Sequence, residues 1–267
     1  MKKSFYNYLK DKNLSANTIS SYLYTVELFN EKYNSVTKDN VLAFKGYLLE
    51  NFKVKTVNLR IQAINKYLEY LDKKELQITA VKIQQKPFLE NVISDADYEF
   101  LKKSLKKDEN YEWYFVVRFL AATGARVSEL IQIKVEHIKL GHLDLYSKGG
   151  KTRRIYIPES LRKEALKWLD SLNRSSGYIF LNNKGNKITT RGISIQLKKL
   201  AVKYGINPYV VYPHSFRHRF AKNFIEKYND ISLLADLMGH DSIETTRIYL
   251  RRTSTEQREI VDKIITW

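Results

Sequence analysis

The second half of this chain carries six scattered side chains whose types suit one anionic group. They are two arginines, a lysine, two histidines and a tyrosine, at Arg126, Lys148, His214, Arg217, His240 and Tyr249. Such cations and imidazoles can donate hydrogen bonds to the non-bridging oxygens of a phosphodiester, an acid can protonate its leaving oxygen, and a phenol can attack phosphorus. None of the six supplies the carboxylate oxygens that usually hold a metal, so we predict a site without metal or cofactor.

His214 and Arg217 are three residues apart and follow Pro213, where a helix is expected to start. This spacing places both side chains on one helix face, near the N-terminus, where the helix dipole attracts anions. His214 and His218 are also spaced like a pair of metal ligands. However, Arg217 and Arg219 flank His218 and the glutamate of the zinc-protease motif is missing, so an anion site is favoured.

Arg126 follows two small residues, Gly124 and Ala125, which allow a ligand to approach the backbone closely. An arginine can bind a phosphate through two N–H groups at once, whereas a lysine acts as a point charge. Glu129 stands three residues further along and is predicted to orient a cationic side chain of the site.

Two lysines flank the Gly149-Gly150 turn of a predicted β-hairpin, Lys148 before it and Lys151 after it. An ammonium group on such a hairpin can deliver a proton to a departing alkoxide. A lysine at a hairpin tip is, however, most often simply solvated. The spacing does not decide between the two lysines.

His240 and Tyr249 are nine residues apart, which in one straight helix would separate them by roughly 13 Å. The residues from Gly239 to Ser242 predict a helix end and a new capped start, so the chain can fold back and bring both side chains to one phosphate. A free phenol has a pKa of about 10, so Tyr249 needs neighbouring cations that favour the phenolate before it can act as a nucleophile.

The elements that must position these residues are mainly helical. Apolar residues between Ile19 and Phe29 recur at helical spacing, and Thr37 and Thr56 are predicted to cap two further helices. We therefore predict a small helical domain over residues 1–75.

A linker and a second domain are predicted to follow. Residues 76–92 lose the helical periodicity and contain Pro87, which is typical of a linker. Ser94 is predicted to cap the first helix of a second domain, residues 93–267.

The second domain is predicted to combine helices with one β-hairpin. Residues 111–123 form a strongly apolar helical segment that Gly124 can end. Residues 142–146 and 153–157 read as two strands around the glycine turn. The expected fold class is mainly α with a small β-hairpin.

The composition indicates a polyanionic partner. The chain has 46 basic and 29 acidic residues, a net charge of +17, and no Asp or Glu between Ser171 and Ile225. Such a face attracts a polyanion and releases its counterions on binding. There is no cysteine, no apolar run near the roughly 20 residues of a membrane span, and no signal peptide pattern at the N-terminus, so we expect a cytoplasmic protein without a membrane partner.

Four ordered motifs resemble those of the tyrosine recombinase (phage integrase) family. They are Ala-Thr-Gly-Ala-Arg-Val-Ser-Glu-Leu, Ser-Lys-Gly-Gly-Lys-Thr-Arg-Arg-Ile-Tyr-Ile-Pro, Pro-His-Ser-Phe-Arg-His-Arg-Phe-Ala and Leu-Met-Gly-His-Asp-Ser-Ile-Glu-Thr-Thr-Arg-Ile-Tyr. The resemblance covers nearly the whole chain, because residues 1–75 look like the SAM-like core-binding domain that precedes the catalytic domain. The two-domain form looks most like the Xer-type branch.

The resemblance assigns expected roles to the six residues and favours Lys148 over Lys151. It implies that Tyr249 attacks DNA to give a 3′-phosphotyrosyl bond and a free 5′-hydroxyl. Both arginines and His240 would stabilise the transition state. His214 would accept the phenol proton, and Lys148 would protonate the 5′-oxygen.

By the same resemblance, the chain is expected to be a site-specific recombinase associated with the nucleoid. It would exchange strands of double-stranded DNA through a Holliday junction, in integration, excision or dimer resolution. A tetramer on DNA is expected, with helix exchange through Ser254–Trp267, and a second recombinase or a directionality factor as further partners. Candidate DNA contacts are Lys45, Arg60, Lys151, Arg153, Arg191, Lys198, Lys199 and Arg219.

Two other functions compete with this interpretation. A type IB topoisomerase or a telomere resolvase shares the chemistry, and a catalytically silent DNA-binding accessory protein is the alternative from another class. All six catalytic positions are filled, which favours an enzyme. The sequence does not reveal the target site or the biological role.

Overall fold

The computed structural model describes residues 2–82, 91–146, 152–240, 242–250 and 261–263. The chain divides into two compact units, residues 1–85 and 86–267. Both are largely helical, and the predicted fold class, mainly α with one small hairpin, is confirmed. No helix in the described residues is long and apolar enough to span a membrane.

The described part of the first unit contains four α-helices, followed by a 3-10 turn at Lys74–Leu76. They are α1 (Lys2–Asp11), α2 (Ala16–Lys32), α3 (Lys38–Asn51) and α4 (Val54–Tyr70). Ser15 and Thr37 cap α2 and α3, because each hydroxyl accepts a hydrogen bond from a backbone N–H of the first turn. Helix α1, which buries Phe5 and Leu9, was not predicted from the sequence.

The predicted start of α4 at Thr56 is wrong. The helix begins at Val54 with Lys53 at the N-cap position, and no side chain caps it. Backbone N–H groups of Thr56 and Val57 already donate to the Lys53 carbonyl, at 2.8 and 3.0 Å. Helical hydrogen bonding therefore starts before the threonine that resembled a cap.

Two asparagines of α4 hold the chain that follows the first four helices. Asn65 accepts from the backbone N–H of Ile78 at 3.0 Å and donates to its carbonyl at 2.9 Å. Asn58 makes the same pair of bonds with Val81, at 2.8 and 2.9 Å. Seven residues separate the asparagines, so they lie on one face of α4, and residues 78–81 are fixed on this unit.

The described part of the second unit contains nine helices and a two-stranded antiparallel sheet. They are α5 (Asp95–Lys107), α6 (Tyr111–Thr123), α7 (Val127–Leu130), α8 (Val135–Leu140), β1 (His142–Tyr146), β2 (Thr152–Tyr156), α9 (Glu159–Ser171), α10 (Thr190–Lys203), α11 (Pro213–Tyr228), α12 (Ile231–Met238) and α13 (Ile243–Thr246). A 3-10 turn, Arg247–Leu250, follows α13.

The core of this unit surrounds α6, which packs against α5, α9 and α11. Phe115, Phe119 and Leu120 of α6 are fully buried, and Phe115 stacks on Trp168 of α9 with ring centroids 4.5 Å apart. Each such side chain stabilises the fold by about 2–3 kcal/mol on burial. The helix therefore gives the site a rigid support.

The two strands of the predicted hairpin pair antiparallel, and Leu143 lies opposite Ile155. Its second strand is Thr152–Tyr156, one residue earlier than residues 153–157. The turn between the strands, with Lys148 and Lys151, lies outside the described residues.

Candidate active site

Three local features of the backbone position four of the six predicted residues, Arg126, His214, Arg217 and His240. Gly124 ends α6 at φ +60° and precedes Arg126, and Gly239 ends α12 at φ +59° and precedes His240. Pro213 is the first residue of α11, where it loses no helical hydrogen bond. Each prediction of a helix start or end at these positions is confirmed.

The glycine at position 124 also permits α6 and α11 to approach each other. A Cβ built at Gly124 would lie 2.5 Å from Cδ1 of Phe220, and the positive φ disfavours any side chain. Glycine therefore meets both the conformational and the packing requirement beside the site.

Arg217 is buried, with 3% of its surface exposed. Its guanidinium donates to the carbonyl of Gly124 at 2.5 Å and to that of Met238 at 2.6 Å, so it joins the ends of α6 and α12. Burial and the neighbouring cations Arg126 and Arg153 lower its pKa to about 10. At neutral pH it still carries its charge.

Arg126 is the more open of the two arginines, with 37% of its side chain exposed. Its guanidinium donates to Glu129 at 2.9 Å and to the Gly239 carbonyl at 2.9 Å. Its backbone N–H donates to the other oxygen of Glu129 at 2.7 Å. A cavity of about 1340 Å³ opens beside Arg126 and His240.

Glu129 also binds a third arginine, Arg153 of β2. Nη1 of Arg153 lies 2.5 Å from the carboxylate, while Nε and Nη2 donate to the Leu237 carbonyl at 3.0 and 2.8 Å. Burial alone would raise the pKa of Glu129, but Arg153 and Arg126 outweigh burial and the pKa lies below its usual value. The sequence predicted that Glu129 orients one cationic side chain, and in the structure it binds two, Arg126 and Arg153.

His240 is held by two contacts that define its tautomer. Nε2 lies 3.0 Å from Nη2 of Arg217, and Nδ1 lies 2.7 Å from the hydroxyl of Thr246. Because a guanidinium can only donate, Nε2 accepts and Nδ1 carries the hydrogen. Burial and the nearby arginines, Arg217 first, lower the pKa of His240 to about 4, so the ring is neutral at pH 7.

Tyr249 lies in the 3-10 turn after α13 and is 8% exposed. It packs in an apolar cluster with Ile225, Leu234 and Met238. Burial raises its pKa to about 12, although Arg217 and Arg126 act in the opposite direction. The phenol is therefore protonated and covered in this structure.

The phenol oxygen of Tyr249 lies 2.9 Å from Nδ1 of His218. From the sequence, His218 was predicted only as a possible partner of His214 in a metal pair, so this contact was not anticipated. The available signal was position: His218 lies one helical turn after His214, on the same face of α11. His214 is close by, with ring centroids 6.0 Å apart, and burial and then Arg217 lower its pKa.

Among the described residues, no group of three or more His, Cys, Asp or Glu side chains is arranged to hold a metal ion. Arg126 and Arg153 both bind the carboxylate of Glu129, and Arg217 lies near enough to all three groups to feel their charges. This excess of positive charge suits an anion.

Comparison with known proteins decides the family. The model of the phage integrase family matches residues 91–256, and that of the phage integrase N-terminal SAM-like domain matches residues 3–75. This chain belongs to the phage integrase family. It is 30% identical to tyrosine recombinase XerA of Pyrococcus horikoshii, over 98% of this chain and 92% of the relative.

Solved structures of integrase-family members share the fold. A crystal structure of XerA recombinase superposes with a TM-score of 0.57 at 24% identity, covering 100% of this chain and 98% of that one. XerH site-specific recombinase, in a post-cleavage complex with a palindromic difH substrate, gives a TM-score of 0.72 at 21% identity. That alignment covers 96% of this chain and 81% of XerH.

Two of the expected DNA contacts, Arg153 and Arg219, make contacts within the protein. Nε, Nη1 and Nη2 of Arg153 donate hydrogen bonds to Glu129 or to the Leu237 carbonyl, and the side chain is only 10% exposed. Arg219 pairs with Asp95 at 2.6 Å and lies 4.0 Å above the ring of Tyr98. In this structure Arg153 is engaged by Glu129 and the Leu237 carbonyl, and Arg219 by Asp95 and the ring of Tyr98.

The other expected contacts differ in exposure. Arg191, Lys198 and Lys199 are exposed on α10 of the integrase and lie close to one face of that helix. In the first unit, Lys45 donates to the Thr79 carbonyl at 2.9 Å, and Arg60 stacks 4.4 Å from the ring of Phe52.

Proposed function

We propose that this chain is a site-specific DNA recombinase that cleaves and rejoins double-stranded DNA through a phosphotyrosine at Tyr249. Membership of the phage integrase family supports DNA recombination as the activity. The observation that carries the assignment of residues is the approach of Arg217, Arg126 and His240 to the region of Tyr249. XerH site-specific recombinase has been solved bound to its difH substrate, and Tn1549 integrase has been solved in complex with transposon right end DNA.

The arginines provide electrostatic stabilisation in this proposal. Arg126 has an exposed guanidinium beside the cavity, and Arg217 keeps its charge while buried. Charge that builds up on the non-bridging oxygens during attack would be stabilised by these donors, which the protein holds in place beforehand. Their carbonyl partners, Gly239 and Gly124, fix the positions of both groups.

The proposed reaction is a balanced exchange of one phosphodiester for another. Oη of Tyr249 loses its proton and bonds to phosphorus, while the bond from phosphorus to the 5′-oxygen breaks. The 5′-oxygen takes a proton from Lys148, a role that rests on the motif resemblance because Lys148 lies outside the described residues. Attack by another 5′-hydroxyl reverses the steps, so the exchange needs no ATP.

Tyr249 must become accessible for this chemistry. It is covered in the described structure and its pKa is about 12. We propose that DNA binding shifts the 3-10 turn Arg247–Leu250 so that the phenol reaches the phosphate. The free enzyme would thereby avoid reacting before a site is bound.

The domain and assembly assignments complete the proposal. Residues 1–75 would bind the DNA core site, residues 76–92 would link the domains, and residues 93–267 would form the catalytic domain. Exchange of Ser254–Trp267 between protomers would assemble a tetramer on DNA. Of that tail only residues 261–263 are described. A second recombinase or directionality factor and association with the nucleoid belong to the same proposal.

Trapping of a covalent adduct tests the proposed function. Purified protein is incubated with sheared genomic DNA from its source, SDS-resistant protein–DNA complexes are isolated, and the captured site is rebuilt as a nicked suicide duplex. Wild-type protein is expected to form the adduct on that duplex, and Tyr249→Phe to form none because it lacks the hydroxyl. Tyr209→Phe, at an exposed tyrosine, is the matched control and is expected to react like wild type.

The outcomes separate the competing functions. Site-specific binding without any adduct would refute the enzyme and support an accessory DNA-binding protein. Relaxation of supercoiled plasmids that lack the captured site would indicate a topoisomerase instead.

A further inference from the structure

Three arginines bind the C-terminal end of helix α12, immediately before His240. Their acceptors are three consecutive backbone carbonyls, and the pairs are Arg153 with Leu237, Arg217 with Met238 and Arg126 with Gly239. The last carbonyls of a helix have no partner within it and carry the negative end of its dipole. The end of α12 therefore holds three guanidiniums at successive positions. Two of them, Arg126 and Arg217, have roles in the proposed reaction, and the third has none.

Arg153 connects this helix end to Glu129. Its Nε and Nη2 donate to the Leu237 carbonyl at 3.0 and 2.8 Å, and its Nη1 donates to Oε1 of Glu129 at 2.5 Å. The same carboxylate oxygen accepts from Nη1 of Arg126 at 2.9 Å. The side chain of Arg153 is 10% exposed, whereas that of Arg126 is 37% exposed and lines the cavity. Of these two arginines, Arg126 is therefore the one that a phosphate can reach.

We propose that Arg153 is a positioning residue that holds Arg126 in place for the scissile phosphate. This inference rests on the proposed function and adds a residue to it. Arg153 fixes both groups that hold Arg126. One is the carboxylate of Glu129, and the other is the end of α12, where the Gly239 carbonyl accepts from Nη2 of Arg126 at 2.9 Å. A donor fixed in advance in this way stabilises transition-state charge without having to reorganise.

Arg153 also sets the charge that the phosphate meets. Arg126 and Glu129 alone would form a neutral pair, in which the carboxylate competes with the phosphate for the guanidinium. Burial lowers the pKa of Arg153, but a guanidinium keeps its proton at neutral pH. Burial acts to raise the pKa of Glu129, but Arg153 and then Arg126 outweigh it, so the carboxylate is ionised. With Arg153 the group of three carries one net positive charge.

The surroundings of Arg153 can persist while the site binds DNA. Its partners lie on α7 and α12, not in the 3-10 turn Arg247–Leu250 that the proposed function requires to move. The packing is also close, because a Cβ built at Gly239 would overlap Cδ of Arg153. Arg153 is therefore held by parts of the domain that stay in place when Tyr249 reaches the phosphate.

A double-mutant cycle of single-turnover adduct formation on the nicked suicide duplex tests the proposal. Arg153→Ala is expected to slow the reaction about 10–100-fold, because misplacing a catalytic group by about 1 Å can cost 10²-fold. Since Arg153 acts through Arg126, the loss should shrink to less than about threefold in an Arg126→Ala background. A general structural defect would lower the rate by the same factor in both backgrounds. The suicide duplex traps the adduct irreversibly, so slow variants can be followed over days.

Arg154→Ala is the matched control. Arg154 is the next residue of β2, but its side chain lies on the other face and pairs across the hairpin with Asp144 at 2.7 and 2.8 Å. This variant should react like wild type. Mobility shifts should show that Arg153→Ala binds the duplex within about twofold of wild type, because Arg153 contacts no phosphate in this proposal. If Arg153→Ala does not fold, Arg153→Lys takes its place in the cycle, since lysine keeps the charge but lacks the fork that binds both acceptors.

The outcomes separate the role of this residue from the proposed function. A wild-type rate for the folded Arg153 variant, or an equal loss with and without Arg126, would overturn the positioning role. Loss of DNA binding by the same variant would make Arg153 a substrate contact instead. If the wild-type protein forms no adduct, the proposed function itself fails.

Discussion

The substitution Glu129→Gln tests whether one carboxylate holds the cationic site together. Glu129 accepts three hydrogen bonds, two from Arg126 and one from Arg153, and is nearly buried. Glutamine preserves the shape and one acceptor oxygen. The substitution removes the negative charge of the carboxylate. The amide NH2 group also comes to face either the backbone N–H or a guanidinium of Arg126 or Arg153, so that two hydrogen-bond donors oppose each other.

The size of the effect follows from burial. Removing one partner of a buried ion pair typically costs about 3–5 kcal/mol because the remaining charge is left uncompensated. Since glutamine keeps one acceptor, we expect a loss of about 3 kcal/mol in the free energy of unfolding. For a domain of this size, that corresponds to a decrease in Tm of about 10 °C.

Glu244→Gln is a matched control. Glu244 also pairs with an arginine three residues away, Arg247, but both side chains are exposed. An exposed pair contributes only about 0.3 kcal/mol. The assay is thermal unfolding followed by circular dichroism at equal protein concentration. If the Tm of Glu129→Gln lies within about 2 °C of that of Glu244→Gln, the carboxylate of Glu129 does not stabilise the fold by neutralising Arg126 and Arg153.

Two further predictions concern backbone conformation and pH. Gly239→Ala should lower the free energy of unfolding by about 1–2 kcal/mol because the backbone at this position has a positive φ. It should also slow adduct formation, since the new Cβ would displace Arg153. A wild-type Tm together with a wild-type rate of adduct formation would contradict both expectations. His218 has a pKa of about 4 in the folded protein, below the value of about 6.5 in the unfolded chain. The folded state therefore disfavours protonation of this imidazole, and the resulting stability is fully present above pH 6.5 and is lost as the pH falls from 6.5 to 4. Between pH 6.5 and 4, the free energy of unfolding measured with urea should therefore fall by up to about 3 kcal/mol less in His218→Asn than in wild type. An equal pH dependence of the two proteins would contradict this prediction.

Local signals in the sequence were sufficient for much of the fold. Thr37, Ser94, Pro213 and the glycines at 124 and 239 act through their own backbone or an adjacent turn, so their effects can be read from neighbouring residues. Thr56 shows where this fails, since a residue with a capping side chain can also lie inside a helix that has already started.

Contacts between distant elements could not be read in this way. The hydrogen bonds from Asn58 and Asn65 to residues 78–81 form only because the chain runs back along α4 after that helix ends. The sequence there has no periodicity and so resembled a free linker. Its fixation is a consequence of packing within the first unit.

Arg153 and Arg154 illustrate the same limit at the site. They are adjacent in β2, and the alternation of a strand requires that they point to opposite faces. Which face is buried is decided by the rest of the domain: Arg153 reaches Glu129 and Leu237, whereas Arg154 pairs across the hairpin with Asp144. From the sequence, Arg153 was predicted only as a candidate DNA contact.

The sequence by itself determined the chemical inventory of the site and the family, because residue types and ordered motifs are properties of the chain. Only the tertiary structure decided that Tyr249 is buried against His218 and that Glu129 binds two arginines. The Tyr249–His218 and Arg153–Glu129 pairings join residues 31 and 24 positions apart in the sequence. Their geometry, and the pKa values it produces, exist only once the second unit has packed around α6 and α11.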